Sequence, residues 1–447
     1  MAGSADMGRR RLRGRRAATV SALAMSVAVL PAGTTALAAE APSSLVRAEL
    51  AYEAPDRGAG GTVRSRPRPD YDADGLPLGA FRAYPKLAVA AAYDSNPYRT
   101  AEADRGDVLT TLQPAVRIES DWSRHQLVLL GSADLGIYAR NDSENFTDAS
   151  LEARGRVDLY EALRFEVSGG AAHLHEDRGS VDGSGGAEPV TYLRWHGQAA
   201  LAGDFGRFGY RAGFGYARHD YEDVSAIGGG VLNQDDRDHR SYGGFARLNY
   251  AALEETGIFL AGNYTLTDFD AATDDSGVNR DRHSRKLVAG LEMDWGGVTF
   301  GQVYAGWFGE VFDDATLDGA SGFTAGAELT ANVTPLTTVT LRGARQLRAT
   351  VTPGASSLVE TEVGAGVDHE LRRNIILGAA ITGRRLAFEG LERTDDHLAA
   401  SIGADWLLSR NVHLALQYEF DTRDSHGVAA VHDWQRHTAA LRLLLQR

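Results

Sequence analysis

Apolar and polar side chains alternate along this chain, in stretches of roughly thirteen residues, from about residue 84 to the end. The pattern is clearest between Ala149 and Leu159, where Ala, Leu, Gly and Val at odd positions interleave with polar and charged residues at even positions. Successive side chains of a strand point to opposite faces, so the alternation predicts strands with one apolar and one polar face. The apolar face is rich in Ala and Gly, which suits a wall that contacts lipid rather than a packed soluble core.

Eighteen such stretches are predicted, with short connectors after even-numbered ones and longer connectors after odd-numbered ones. Their expected limits are 84 to 93, 108 to 120, 125 to 139, 147 to 159, 163 to 175, 190 to 202, 207 to 219, 240 to 252, 257 to 268, 284 to 295, 298 to 311, 321 to 333, 337 to 350, 357 to 370, 375 to 387, 396 to 408, 412 to 423 and 434 to 447. This alternation is typical of an all-β, transmembrane, antiparallel up-and-down β-barrel with short periplasmic turns and long external loops. An even strand number places both termini in the periplasm. A soluble β-sandwich or solenoid also has many strands, but neither has a reason to alternate connector length with strand parity.

The first part of the chain has a different texture. Residues 1–38 combine a run of arginines, an apolar core from Ala17 to Leu30 and the triplet Ala36-Leu37-Ala38, which predicts a cleaved secretory signal peptide. The Arg15-Arg16 pair leaves the twin-arginine route open, and an uncleaved anchor is the alternative that the short apolar core disfavours. Residues 39–83, with Pro-rich and Gly-rich phrases, are expected to form an extended periplasmic segment with no assigned fold, and residues 84–447 the barrel.

Composition narrows the possible partners. The formal net charge is −14, and removal of residues 1–38 leaves 40 basic and 59 acidic residues, a net charge of −19, with acidic residues concentrated in the long connectors. Nucleic acid is therefore excluded as a partner, and outer-membrane lipid is the expected surroundings. The chain contains no cysteine, so it has neither a disulfide nor a lipid-modified cysteine.

Parity assigns a set of charged side chains to the inner face of the barrel. The candidate pore-lining residues are Glu152, Arg154, Arg156, Asp158, Arg194, Arg211, Arg247, Glu328, Arg342, Arg348, Glu360 and Glu362. Facing lipid at mid-bilayer each charge would cost about 2 to 4 kcal/mol, whereas facing water it costs little. Eighteen strands leave an aqueous channel unless a loop or the N-terminal segment plugs it. Arg154, Arg156, Arg342 and Arg348 are the cationic contacts expected for a solute.

Catalytic and metal-binding patterns are weak. The chain has no G-x-S-x-G or H-E-x-x-H motif, so no catalytic residue and no cofactor are expected. His173 and His175 lie two apart beside acidic residues, which leaves a metal site or an ordinary histidine pair as alternatives. The carboxylates at Asp235-Asp236 and Asp274-Asp275 suit Ca²⁺ but lack the spacing of a dedicated calcium loop, so a solvated acidic rim is the simpler interpretation and no metal is assigned.

Residues 66 to 100 carry three recognisable phrases: Arg66-Pro67-Arg68-Pro69-Asp70-Tyr71, Gly75 to Gly79 followed by Phe81, and Tyr93-Asp94-Ser95-Asn96. They resemble the opening of the outer-membrane β-barrel porin family, type two, whose members begin with R-P-x-P-x-Y-D, G-x-x-x-G-x-F and a first strand ending in Y-D-x-N. The resemblance implies a barrel in the outer membrane of a Gram-negative bacterium, in a family sometimes linked to surface polysaccharide export. It carries over no ligand residues.

The last strand departs from the usual outer-membrane pattern. Leu441, Leu443 and Leu445 alternate up to Gln446-Arg447, so the terminal aromatic that the barrel assembly machinery commonly reads is missing. That machinery remains an expected partner, with insertion relying on another signal.

These observations favour a porin-like outer-membrane channel that passes hydrophilic solutes or assists surface polysaccharide export. The alternative is a non-conducting structural or adhesive outer-membrane barrel that acts through its acidic external loops. An enzyme is the third class, and the sequence shows no assembled site for one.

Overall fold

The computed structural model describes residues 61–102, 106–182 and 186–447. They form a closed antiparallel β-barrel of eighteen strands, as the alternation predicts. The strands are β1 Phe81–Asp94, β2 Asp107–Ser120, β3 Gln126–Tyr138, β4 Phe146–Tyr160, β5 Leu163–His175, β6 Thr191–Phe205, β7 Phe208–Tyr221, β8 His239–Leu253, β9 Thr256–Phe269, β10 Arg282–Trp295, β11 Thr299–Phe312, β12 Ser321–Thr334, β13 Thr337–Ala349, β14 Ser357–Arg372, β15 Ile375–Glu389, β16 Thr394–Leu407, β17 Val412–His426 and β18 Trp434–Gln446. The predicted signal peptide, residues 1–38, lies outside the described residues, as do residues 39–60.

Each strand pairs with its neighbours in sequence, and the barrel closes where β18 meets β1. At this seam the register runs from Lys86 opposite Gln446 to Asp94 opposite Thr438. A short additional strand, Leu76–Leu78, pairs with the first residues of β1 that β18 does not reach. Closure satisfies the backbone hydrogen bonds that lipid could not satisfy.

The predicted strand limits agree with the structure to within three residues at every end. Turns of two to five residues follow the even-numbered strands, and connections of seven to seventeen residues follow all but one of the odd-numbered strands. The exception is the connection after β15, residues 390–393, which is as short as the turn after β16. The expectation of a long connection is wrong here, because β15 and β16 continue to pair as far as Ala387 and Thr394, so that the hairpin keeps its length as strand.

Apolar side chains exposed on the outer wall alternate along each strand with side chains that point into the barrel. Near the short turns a girdle of exposed aromatic side chains surrounds the barrel, formed by Trp122, Tyr160, Phe205, Trp295 and Trp406. Such a girdle is expected where a membrane-spanning barrel crosses the interface between lipid and water. Among the described residues, no helix has the length and apolar character that crossing a membrane requires.

Tyr138, the last residue of β3, lies near the long loops but does not face the lipid. Its hydroxyl donates inward, to Asp94 Oδ2 at 3.5 Å, because Tyr138 occupies the lumen-facing parity of β3.

Candidate channel lumen

Ion pairs between neighbouring positions neutralise much of the inner wall. Residues i and i+2 of a strand share a face, so an arginine two positions from a carboxylate can bond it without leaving its own strand. Arg154 Nε lies 2.7 Å from Glu152 Oε1 on β4, and Arg164 Nε lies 2.8 Å from Glu166 Oε1 on β5. The alternating pattern therefore places opposite charges together inside the barrel rather than leaving a wall of separate ions.

The twelve predicted pore-lining residues occupy positions that alternate with the exposed apolar ones. Several are paired: Glu152 with Arg154, Arg156 with Asp158 at 3.2 Å, Arg211 with Glu166 at 2.9 Å, Arg247 with Glu292, and Glu360 with Arg384 at 3.8 Å. Glu328 and Arg342 are opposite each other in register on β12 and β13. Arg348 is buried, Glu362 is half-buried, and Arg194 lines a large cavity.

One side of the inner wall carries aromatic side chains that the parity argument did not single out. Phe259, Ala261 and Val288 form a buried cluster with Tyr304 packed against it. The Arg247 guanidinium lies 3.7 Å from the centre of the Phe259 ring, a cation–π contact that removes this charge from the lumen. The signal was visible in the sequence, because Phe259 and Tyr304 fall at inward positions of β9 and β11.

The connection between β5 and β6, residues 176–190, crosses the long-loop mouth of the barrel, and we name it the crossing loop; residues 183–185 within it lie outside the described part. Its Asp182 carboxylate accepts hydrogen bonds from the Thr350 hydroxyl at 2.5 Å and from the Val351 N–H at 2.9 Å. Thr350 and Val351 follow β13, eight strands around the wall from β5. In a barrel of eighteen strands this contact is almost diametrically opposite, so the loop spans the mouth.

Apolar packing supports the same contact. Val181 packs against a buried cluster formed by Ala355, Leu358, Leu386 and Phe388. Ala355 and Leu358 have no exposed surface. Burying these side chains holds the tip of the crossing loop against the inner wall.

Ion pairs tie the base of the crossing loop to other long loops. The pairs are Glu176 with Arg237, Asp177 with Arg99 at 3.1 Å, and Arg178 with Glu144 at 2.6 Å. Glu176 and Arg237 are almost fully buried. Burial alone would lower the pKa of Arg237, but the adjacent Glu176 carboxylate outweighs it and the pKa is raised, which keeps the pair ionised. The loop is therefore anchored at its base, by residues 176–178, and across the mouth, by Val181 and Asp182.

A second segment enters the barrel from the short-turn end. Residues 61–75, which we name the strap, lie against the inner wall. The Val63 N–H donates to Thr338 Oγ1 at 2.9 Å, and Arg64 bonds the carboxylates of Asp368 at 2.6 Å and Asp405 at 2.8 Å. Burial lowers the pKa of Arg64, but these two carboxylates outweigh it and raise the pKa above its usual value.

The most buried contact of the strap is an ion pair. Arg68 Nη2 lies 2.8 Å from Glu370 Oε2, and both side chains are almost fully buried. Arg66 Nη1 lies 3.6 Å from the same oxygen. The arginines of the R-P-x-P phrase, for which the sequence offered no role, therefore hold the strap to the end of β14.

Glycines allow the chain to pass from the strap into the wall. Gly75 has a φ of +72° and Gly79 a φ of +63°, values that L side chains rarely adopt. A Cβ on Gly75 would meet side-chain atoms of Arg82 and Tyr84 at 2.7 Å. The G-x-x-x-G phrase thus makes the turns on either side of the short strand Leu76–Leu78, which lead the chain into β1.

Two cavities adjoin these segments. The larger, of about 1160 Å³, lies between the strap and the inner wall of the strands around the seam. The smaller, of about 200 Å³, lies under the tip of the crossing loop and is lined by Asp182, Arg237 and Thr350. The lumen is therefore narrowed at both ends, and a cavity lined by charged, polar and apolar side chains adjoins each narrowing segment.

Metal-binding candidates find ordinary roles in the structure. His175 Nδ1 lies 2.9 Å from Asp148 Oδ1, and His173 Nδ1 lies 2.9 Å from the Thr147 carbonyl oxygen. Asp274 binds Ser276 and Arg280 within its own loop. In residues 61–102, 106–182 and 186–447 no group of three or more His, Asp or Glu side chains is arranged to hold a metal ion.

The closed barrel of strands, the exposed girdle of aromatic side chains and the narrowed interior with its charged side chains together define an outer-membrane β-barrel of the porin type. The family model described as Putative beta-barrel porin 2 matches residues 68–447, and the chain belongs to that family. The match begins within the strap and includes the whole barrel.

The chain also resembles solved barrels. These include the outer membrane protein OpdK of Pseudomonas aeruginosa (13% identity, 82% of this chain and 99% of that chain, TM-score 0.44), OpdL of the same organism (14%, 83% and 99%, 0.43) and the siderophore receptor PiuA of Acinetobacter baumannii (10%, 84% and 82%, 0.47). Similarity of this degree assigns no solute to the present chain. No curated protein matches it in sequence.

Proposed function

We propose that this protein is an outer-membrane channel for small hydrophilic solutes, with its short turns and both chain ends on the periplasmic side. The observation that carries the proposal is the construction of the interior. The crossing loop and the strap narrow the lumen from opposite ends without filling it, and a cavity of about 1160 Å³ remains against a wall that carries charged side chains.

The way these two segments are held favours a channel over a purely structural barrel. Both are attached by hydrogen bonds, ion pairs and one small apolar cluster rather than by continuous strand pairing with the wall. A barrel that served only as an anchor for external loops needs no narrowed, ion-lined interior. Two narrowing segments also favour small solutes over a polymer, so assistance in polysaccharide export remains a prediction from family resemblance.

Planar bilayer recording on the purified full chain tests the proposal. Stepwise conductance after insertion is the expected result, because a wetted lumen carries ions. Liposome swelling with sugars of increasing size then measures the passage, and a cut-off near the size of small sugars is expected. A silent bilayer, after insertion has been verified by protease protection in liposomes, would refute the channel and favour the structural or adhesive barrel.

A further inference from the structure

Three lumen cations have no carboxylate partner. Lys86 on β1, Arg194 on β6 and Arg442 on β18 line the same large cavity and are half-buried. Most other inward arginines bond a carboxylate within 4 Å, but among the described residues no carboxylate lies that close to any of these three. They are therefore cationic groups whose charge is available to a solute.

The register explains why Arg442 is unpaired. On the neighbouring strands it faces Ala415 and Ala90, and along its own strand the nearest inward positions are Ala440 and Leu444. None of these can neutralise a guanidinium. Apolar side chains surround Arg442, and the Asp405 carboxylate that acts on it electrostatically is already bound to Arg64, so the Arg442 guanidinium has no ion pair of its own.

Lys86 and Arg194 have comparable surroundings. Lys86 faces Ala115 and Gln446 in register, and Arg194 faces Ala172 and His219. A single row of residues opposite each other in register joins the two cations through Ala115, Ser132, Ser150 and Ala172. All four intervening side chains are small and line the cavity, so they form a shallow groove between Lys86 and Arg194.

The cavity as a whole has a cationic excess in an acidic protein. Seven arginines and lysines but five carboxylates line it, whereas the whole chain carries a net charge of −14. Three of the five carboxylates are bound to arginines: Glu119 to Arg117, Glu152 to Arg154, and Asp405 to Arg64. Four of the seven cations are also paired with carboxylates, namely Arg64, Arg68, Arg117 and Arg156, which leaves Lys86, Arg194 and Arg442 against Asp72 and Asp121. The unpaired charges of this cavity therefore have a small cationic excess, and these three cations contribute a positive potential to this part of the lumen.

We propose that Lys86, Arg442 and Arg194 form a track for small anions, binding the carboxylate or phosphate groups of solutes in turn. Lys86 and Arg442 lie on adjacent strands, four positions apart in register, which is roughly 13 Å along the wall. That spacing is too large for one small anion to bridge, so the cations act as successive sites. Ammonium and guanidinium groups are the natural partners of both anionic groups. This inference rests on the proposed channel function and names its solute class.

Ion selectivity tests the track. In planar bilayers under a salt gradient the wild-type channel is expected to prefer chloride over potassium, and millimolar inorganic phosphate is expected to reduce the chloride current. In the variant K86Q/R194Q/R442Q we expect the chloride-to-potassium permeability ratio to fall by roughly twofold for each charge removed, since each contributes to the potential at the ion path. Block by phosphate should disappear.

Two matched variants separate charge from structure. R207Q removes the same charge from an exposed short turn outside the cavity and should leave selectivity unchanged. K86R/R442K keeps the charges and should keep both selectivity and phosphate block. A conducting wild type that prefers potassium, or a triple variant with unaltered selectivity, would overturn the track.

A silent wild-type channel would refute the proposed function but not yet the binding track. In that case phosphorus NMR of inorganic phosphate with the detergent-solubilised full chain decides. Line broadening in the wild type that is lost in the triple variant supports the anion sites, and equal broadening in both refutes them.

Discussion

Release of the strap is expected to enlarge the conducting path. The perturbation is R64Q/R68Q, which removes the two arginines that bond the inner wall at Asp368, Asp405 and Glu370. No strand pairing of the barrel involves either side chain, so the barrel itself should form normally. The strap then remains attached chiefly through its backbone and through Arg410, whose guanidinium donates to the Pro69 carbonyl oxygen at 2.7 Å.

The expected magnitude follows from burial. Arg68 and Glu370 are 4% and 3% exposed, and breaking such a buried pair costs about 3 to 5 kcal/mol. The lower figure applies because Arg66 lies 3.6 Å from the same carboxylate and stays as a partner. Arg64 is 37% exposed, so solvent screening limits its two bonds to about 1 kcal/mol together. A total of about 4 kcal/mol shifts the equilibrium towards the released strap by roughly a thousandfold.

Single-channel recording measures the outcome as a larger unit conductance of R64Q/R68Q compared with the wild type. R373Q is the matched control: Arg373 also lies near Glu370, at 3.8 Å, but it is 72% exposed and belongs to a short turn, so little change is expected. The charge-swapped pair R68E/E370R should restore part of the attachment. If R64Q/R68Q inserts as a folded barrel with wild-type conductance, the strap does not obstruct the ion path and the reasoning fails.

Three other predictions concern the long-loop end. D182A removes the carboxylate that accepts hydrogen bonds from Thr350 and Val351, which should weaken attachment of the crossing loop by about 1 to 3 kcal/mol. Protease added on the long-loop side should then cut the crossing loop faster, and an unchanged rate of cleavage contradicts the contact. L358A leaves a cavity beneath the crossing loop and should lower the free energy of unfolding by about 2 to 5 kcal/mol, measured by urea titration in detergent; a loss below 1 kcal/mol would mean that this site is not packed. Burial and the neighbouring carboxylates raise the pKa of Asp238 to about 6, above its value in the unfolded chain. Ionised Asp238 therefore destabilises the connection 222–238 above pH 6, and this destabilisation is relieved as the pH falls from 6 towards 4. Protection factors of amides in this connection, corrected for the pH dependence of intrinsic exchange, should therefore be higher at pH 5 than at pH 7.5, and D238N should lose that difference.

The strand pattern could be predicted from sequence because each strand meets lipid on one face and water on the other. Under that constraint a polar side chain at the wrong parity is costly, so the alternation is strict even where the residues are as small as Ala153 and Gly155. At the hairpin of β15 and β16 the consecutive polar residues Thr394, Asp395 and Asp396 interrupt the alternation, so the pattern does not mark the strand end and predicts a connection that is too long.

The contents of the lumen could not be predicted in the same way. The contacts of Arg64 with Asp368 and of Asp182 with Thr350 join positions far apart in sequence, and they depend on where a closed barrel brings them. Parity assigned Arg194 and Arg154 equally to the inner face. It could not separate them, because pairing depends on which residues stand opposite on the neighbouring strands.

The seam between β1 and β18 joins residues separated by about 350 positions along the chain. Bringing such distant segments together carries the largest loop-closure cost in the molecule, so this ladder is the natural last step of assembly. Until it forms, both outermost strands expose unpaired backbone that invites association between copies. The Tyr71 carbonyl oxygen accepts a hydrogen bond from the Gln446 amide, 3.1 Å away, so the strap contacts the last strand next to the seam. Closure of the seam and attachment of the strap are therefore coupled, and a variant that weakens the contacts of the strap is expected to slow closure of the barrel.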